Sequence, residues 1–176
     1  MSERSRDPFS RLPVAAHLDC IQRALRERGV AVLQAPPGSG KTSLVPPAVL
    51  ELDATGLVLV LQPRRVATRA VARMLAKRLE TSVGGGVGYQ VRFDTRRSDE
   101  TRLLVLTEGV LTSWLQRDPA LEGVTAVILD EFHERSLQAD LALAMLKEVR
   151  ETLRPELKVM VMSATLDAAP VAAFLG

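Results

Sequence analysis

The sequence predicts an α/β domain, a mostly parallel sheet with helices on both faces. Three observations predict it. Short β-branched or Leu-rich runs alternate with helical stretches along the whole chain. Each of the five clearest runs ends in a polar turn, and open α/β sheets bind ligands at the carboxyl ends of their strands. The composition is 47% hydrophobic but only 3% aromatic, which suits Ala/Val/Leu packing between sheet and helices.

The elements follow in order. Residues 18–25 read as a helix stopped by Gly29. The strands are Val30–Gln34, Leu57–Gln62, 102–106, 126–130 and Lys158–Ser163. Helices are predicted at 42–51, 66–80, 109–116 and 137–153. A weaker strand spans 86–93, before a turn-rich stretch at 94–100, and the glycine-dense 82–86 reads as a loop. Residues 1–11 are assigned to a flexible N-terminal segment and 12–176 to one domain. At 176 residues the chain can bury a single core.

Composition excludes several classes. One cysteine, Cys20, rules out a disulfide framework or a Cys-based zinc site and points to a reducing, cytoplasmic setting. No apolar run is long enough to span a bilayer, and the charged N-terminus lacks the apolar core of a signal peptide. Net charge is only +2, yet residues 60–105 hold ten Lys/Arg against four Asp/Glu, and the chain turns acidic downstream. Such a segment beside a nucleotide site suggests a polyanion partner, although a basic run can also be a solvated helix face.

The strongest chemical signal is Ala35-Pro36-Pro37-Gly38-Ser39-Gly40-Lys41-Thr42, between a strand and the helix-compatible run that continues from Ser43. This pattern is a phosphate-binding loop, with Ala35 where the strict form has Gly. Gly38 and Gly40 let backbone N–H groups turn toward a polyphosphate, and the helix start adds its positive end. Lys41 can reach the β- and γ-phosphates of ATP, and the Thr42 hydroxyl can ligate Mg²⁺.

A second signal completes the first. Four apolar residues, Ala126 to Leu129, run into Asp130-Glu131-Phe132-His133. Asp130 can hold Mg²⁺ through its water shell, and Glu131 can polarise the attacking water. Paired acids point to hydrolysis rather than phosphoryl transfer to another acceptor. His133, beside the catalytic acid, suggests coupling.

Asp130 to Ser136 resembles motif II of the DEAH/RHA branch of superfamily 2 helicases. Further stretches resemble other motifs in order: Gln62-Pro63-Arg64-Arg65-Val66-Ala67, Gly88 to Phe93, Thr107-Glu108-Gly109-Val110-Leu111, and Ser163-Ala164-Thr165. Phe132 stands where the motif has Ala, which with Ala35 to Gly38 resembles the bacterial HrpB-like subgroup. The resemblance covers about residues 12–176.

It implies a RecA-like P-loop NTPase fold and the first motor domain of an ATP-dependent RNA helicase. Arg64, Arg65, Arg92 and Thr107 match positions facing the backbone of single-stranded RNA, with DNA left open. Guanidinium forks suit phosphate oxygens. Arg73 matches an arginine stacking on adenine and is equally compatible with an exposed helix charge. Ser163 and Thr165 match residues linking hydrolysis to movement. The family's second RecA-like domain carries arginine fingers, and only eleven residues follow Thr165. The expectation is therefore a domain that binds nucleotide but hydrolyses it poorly alone. A P-loop kinase or metabolic NTPase, or a nucleotide-switched nucleic-acid-binding module, is the alternative.

Overall fold

In a computed structural model of the protein, residues 8–165 and 168–176 are described. The elements are α1 (Leu18–Glu27), β1 (Val30–Gln34), α2 (Lys41–Leu50), β2 (Leu57–Gln62), α3 (Arg65–Arg78), β3 (Val87–Val91), β4 (Asp94–Arg96), β5 (Leu103–Thr107), α4 (Glu108–Arg117), β6 (Val124–Leu129), α5 (Leu137–Thr152), β7 (Lys158–Ser163) and α6 (Ala168–Leu175). The sheet order is β1-β7-β6-β2-β5-β3-β4. Every neighbouring pair is parallel except β3 and β4.

Side chains in a strand alternate between faces, and the core follows that rule. Leu59, Leu61, Leu104, Leu106, Val127 and Leu129 point to one face, where α4, α5 and α6 cover them. Val58, Val60, Leu103, Val105, Ala126 and Ile128 point to the other, under α1, α2 and α3. The central strands β2, β5 and β6 are buried on both sides, which is why they read as unbroken apolar runs.

Two differences from the expected elements have physical causes. The turn-rich stretch after residue 93 contains β4, which pairs antiparallel with β3 and closes a two-residue hairpin over Arg92 and Phe93. Its polar residues Asp94, Thr95 and Arg96 lie at the sheet edge, so no apolar pattern announced it. Residues 8–11, assigned to the flexible segment, form a 3-10 turn, and the Arg78 guanidinium lies 4.3 Å over the Phe9 ring. Residues 1–7 of that segment lie outside the described residues. The helix expected at 42–51 is present as α2 and continues through Pro46 and Pro47, which usually break a helix; burial of nearly all its residues outweighs the lost backbone bonds.

Candidate functional site

Two strand ends carry the first half of the site. The loop after β1 is tied down at several points: Ala35 N–H donates to the Ser163 carbonyl at 3.1 Å, and Val14 N–H to that of Ser39 at 3.1 Å. Gly38 and Gly40 have φ of +75° and +95°, a region that disfavours side chains. A Cβ on Gly40 would also lie 2.9 Å from Leu12, so the loop is packed closely against that residue. Lys41 is 4% exposed, and its ammonium donates to the carbonyls of Ala35 at 2.5 Å and Pro36 at 3.0 Å. The Ser43 hydroxyl donates to the Gly40 carbonyl at 3.2 Å and so closes the turn from within.

The loop meets β6 across the intervening β7. The Thr42 hydroxyl donates to Asp130 Oδ2 at 2.7 Å, although 88 positions separate the two residues. Gln62, at the end of β2, donates to the same oxygen at 2.6 Å, and Glu131 N–H donates to Oδ1 at 2.9 Å. Burial is the main influence on the Asp130 carboxyl and pushes its pKa up, aided by the nearby Glu131 charge; the hydrogen bonds from Thr42, Glu131 and Gln62 oppose the rise. A carboxylate held this way gains from a cation.

The donor set fits magnesium and a polyphosphate. Thr42 and Asp130 present hard oxygens of the kind Mg²⁺ prefers. Ser39, inside the loop, is 2% exposed, and its hydroxyl has no hydrogen-bond partner among the described residues. An orphaned buried hydroxyl beside Lys41 suits an anionic ligand.

Glu131 and His133 form the next layer. Glu131 has φ +54° and Arg135 has φ +47°, so the 3-10 turn Phe132–Glu134 lies between two strained residues. Strain of this kind costs roughly 1–3 kcal/mol per residue and clusters at functional sites. Phe132 anchors the turn, buried in the core beneath α5 and α6. His133 Nε2 lies 3.3 Å from Glu131 Oε2, while its Nδ1 accepts from Ala164 N–H at 3.3 Å. An accepting Nδ1 leaves the proton of the neutral ring on Nε2, facing Glu131. His133 thus bridges the acid pair and the end of β7. Ser163 is buried there, and Thr165 is exposed.

The basic residues separate into different places. Arg65, Arg92 and Thr107 line one cleft of about 840 Å³ at the ends of β2, β3 and β5. Arg65 donates to the Arg92 carbonyl at 2.9 Å. Arg64 does not line this cleft. Its guanidinium turns toward the acid motif and pairs with Glu134 at 3.2 Å. Arg73 is exposed on α3, away from that cleft.

A family model described as DEAD/DEAH box helicase matches residues 15–174. The chain belongs to the DEAD/DEAH box helicase family. It is 51% identical over 160 residues to the ATP-dependent RNA helicase HrpB of Escherichia coli (strain K12), covering 90% of this chain and 20% of that protein. It is 41% identical over 158 residues to HrpA of the same organism, covering 89% of this chain and 12% of that protein. A crystal structure of the Escherichia coli DEAH/RHA helicase HrpB superposes with a TM-score of 0.87 at 49% identity, over 92% of this chain and 21% of that one. The fold is therefore the RecA-like domain of these helicases. The chain spans about a fifth or less of the relatives it matches.

Three contributors to this helicase domain were not singled out from sequence. Gln62 enters the sequence only as the end of a strand and the start of a motif, yet it holds Asp130; a Gln closing an apolar strand is the available signal. Glu134 pairs with Arg64, and Glu108 accepts from the Ser136 hydroxyl at 2.5 Å. Both acids lie inside stretches that resemble family motifs, but the pairings themselves carry no sequence signal, because each partner lies far along the chain. No helix among the described residues is long and apolar enough to cross a membrane.

Proposed function

We propose that this chain is the ATP-binding motor domain of a cytoplasmic ATP-dependent RNA helicase, working with a second RecA-like domain and single-stranded RNA. The observation that carries the reading is the 2.7 Å bond from Thr42 to Asp130, which brings the phosphate loop and the acid motif to one point. In this reading the loop N–H groups and Lys41 hold the β- and γ-phosphates. Lys41 exchanges two neutral carbonyl partners for charged oxygens, which strengthens its hydrogen bonds. Thr42 and Asp130 hold magnesium, which supplies positive charge against the phosphate oxygens.

Glu131 orients the attacking water and accepts its proton at a carboxylate oxygen. His133 keeps that carboxylate in place and passes its position to Ala164 at the end of β7. Arg65, Arg92 and Thr107 grip the RNA backbone in the neighbouring cleft. Arginine fingers from the second domain complete the stabilisation of the transferring phosphoryl group, a contribution of roughly 10³–10⁵ in rate. The chain alone is therefore expected to bind nucleotide, turn it over slowly and leave duplexes wound.

Titrating a fluorescent ATP analogue with and without magnesium tests the nucleotide half. Measuring RNA-stimulated phosphate release tests the need for a second domain. Affinity indifferent to magnesium contradicts the Thr42–Asp130 assignment, and fast RNA-stimulated turnover by this chain contradicts the two-domain requirement.

A further inference from the structure

The cleft that holds Arg65, Arg92 and Thr107 also holds two aromatic rings, each covered by an arginine. Phe93, at the tip of the β3–β4 hairpin, is 90% exposed and has φ +68°. The Arg92 guanidinium lies 4.8 Å from its ring centroid. Trp114, on α4, lines the same cleft, and the Arg97 guanidinium lies 5.1 Å from its ring. A bulky residue at positive φ is a backbone outlier, and here it holds an apolar ring out in water.

The acids lining the cleft are already engaged. Asp94 accepts from Arg69 at 2.7 Å and from the Tyr89 hydroxyl at 3.0 Å, and Glu108 accepts from Ser136. The cleft therefore presents cations and π-faces together, the combination that suits an unpaired nucleic-acid strand.

We propose that Trp114 is a stacking platform for a base of the RNA strand in this cleft. A base takes the indole face that Arg97 covers, and the displaced guanidinium moves to the adjacent phosphate. The exchange is favourable because base–aromatic stacking outweighs an exposed cation–π contact. Phe93 serves a second base at the hairpin tip. This inference rests on the nucleic-acid reading of the cleft but adds base contact to backbone contact.

Trp114 is the only tryptophan in the chain, so intrinsic emission reports on this one ring. The experiment follows that emission while unlabelled oligoadenylate RNA is added, and measures binding separately by anisotropy of an end-labelled strand. Quenching that tracks the anisotropy isotherm is the expected result. An abasic strand of equal length should bind through its phosphates without quenching. Trp114→Ala should weaken oligoadenylate binding by roughly tenfold, with Trp114→Phe keeping most of it. The Phe variant also guards against a folding defect, since Trp114 packs partly against the core.

Bound RNA with unchanged emission, or equal quenching by the abasic strand, overturns the platform and leaves the backbone reading intact. No binding in anisotropy overturns the nucleic-acid reading and the platform together.

Discussion

The nucleotide site and the aromatic cleft lie at neighbouring strand ends of one sheet, yet they are built differently. In the nucleotide site, Ser39, Lys41 and Asp130 are buried, and Asp130 alone accepts from three donors. In the cleft Arg65, Arg92 and Phe93 are exposed, Thr107 and Trp114 are half-buried, and arginines lie over rings or grip carbonyls. The first arrangement suits the small, highly charged ligand proposed for it. The second suits a long, variable one, where many weak contacts add.

The largest effect should separate chemistry from binding within the first site. Glu131→Gln removes the proposed proton acceptor but keeps the side-chain shape and leaves the Asp130 contacts untouched. Single-turnover hydrolysis is expected to fall roughly 10²–10⁴-fold, with the affinity for a fluorescent ATP analogue unchanged. A parallel loss of affinity would move Glu131 from catalysis to binding.

Asp130→Asn sharpens the comparison through stability. Burial raises the carboxyl above its ordinary 3.8, so the folded state holds that proton more tightly than the unfolded chain. Stability from this group is present below 3.8 and is lost as pH rises through the raised folded value. The Asn variant should lack that decline in thermal melts across the acid range. It should also lose the magnesium-dependent stabilisation by nucleotide, about 2.7 kcal/mol at roughly a hundred times Kd. A wild-type pH profile matching that of Asn would contradict the burial argument.

The cleft should respond to salt instead. Arg65→Ala is expected to lower the slope of log affinity against log salt by about 0.7 for a single strand, leaving nucleotide affinity unchanged. An unchanged slope would exclude Arg65 from phosphate contact.

The smallest effect lies between the two regions. Arg64 and Glu134 form an exposed pair, with the arginine side chain 73% accessible. Breaking it by Glu134→Ala should shift stability by no more than about 0.5 kcal/mol in chemical denaturation. If RNA phosphates compete with Glu134 for Arg64, the same variant should bind RNA more tightly. Weaker binding would instead make Glu134 a structural support of the RNA surface.

Legibility followed the same division. Lys41, Thr42, Asp130 and Glu131 stand out as candidates in two short segments, because a phosphate loop and a metal-binding acid each need a fixed local order of residue types, and the structure brings Thr42 and Asp130 together. The buried strands were equally plain, since burial on both faces demands continuous apolar runs. The hairpin strand β4 escaped because an edge strand faces water and needs no apolar pattern. Arg64 and Arg65 are neighbours in sequence, and their destinations were not separable there. One precedes α3 in extended backbone and the other opens the helix, so their side chains leave in different directions.

By itself, then, the sequence determined the alternation of strands and helices, the phosphate loop and the acid pair, because local backbone geometry and hydrophobic period are short-range properties. Only the tertiary structure decided that Gln62 supports Asp130, that His133 joins Glu131 to Ala164, and that Phe93 and Trp114 share a cleft. Those contacts depend on strand order and register. They arise from the joint burial of many side chains rather than from any one segment.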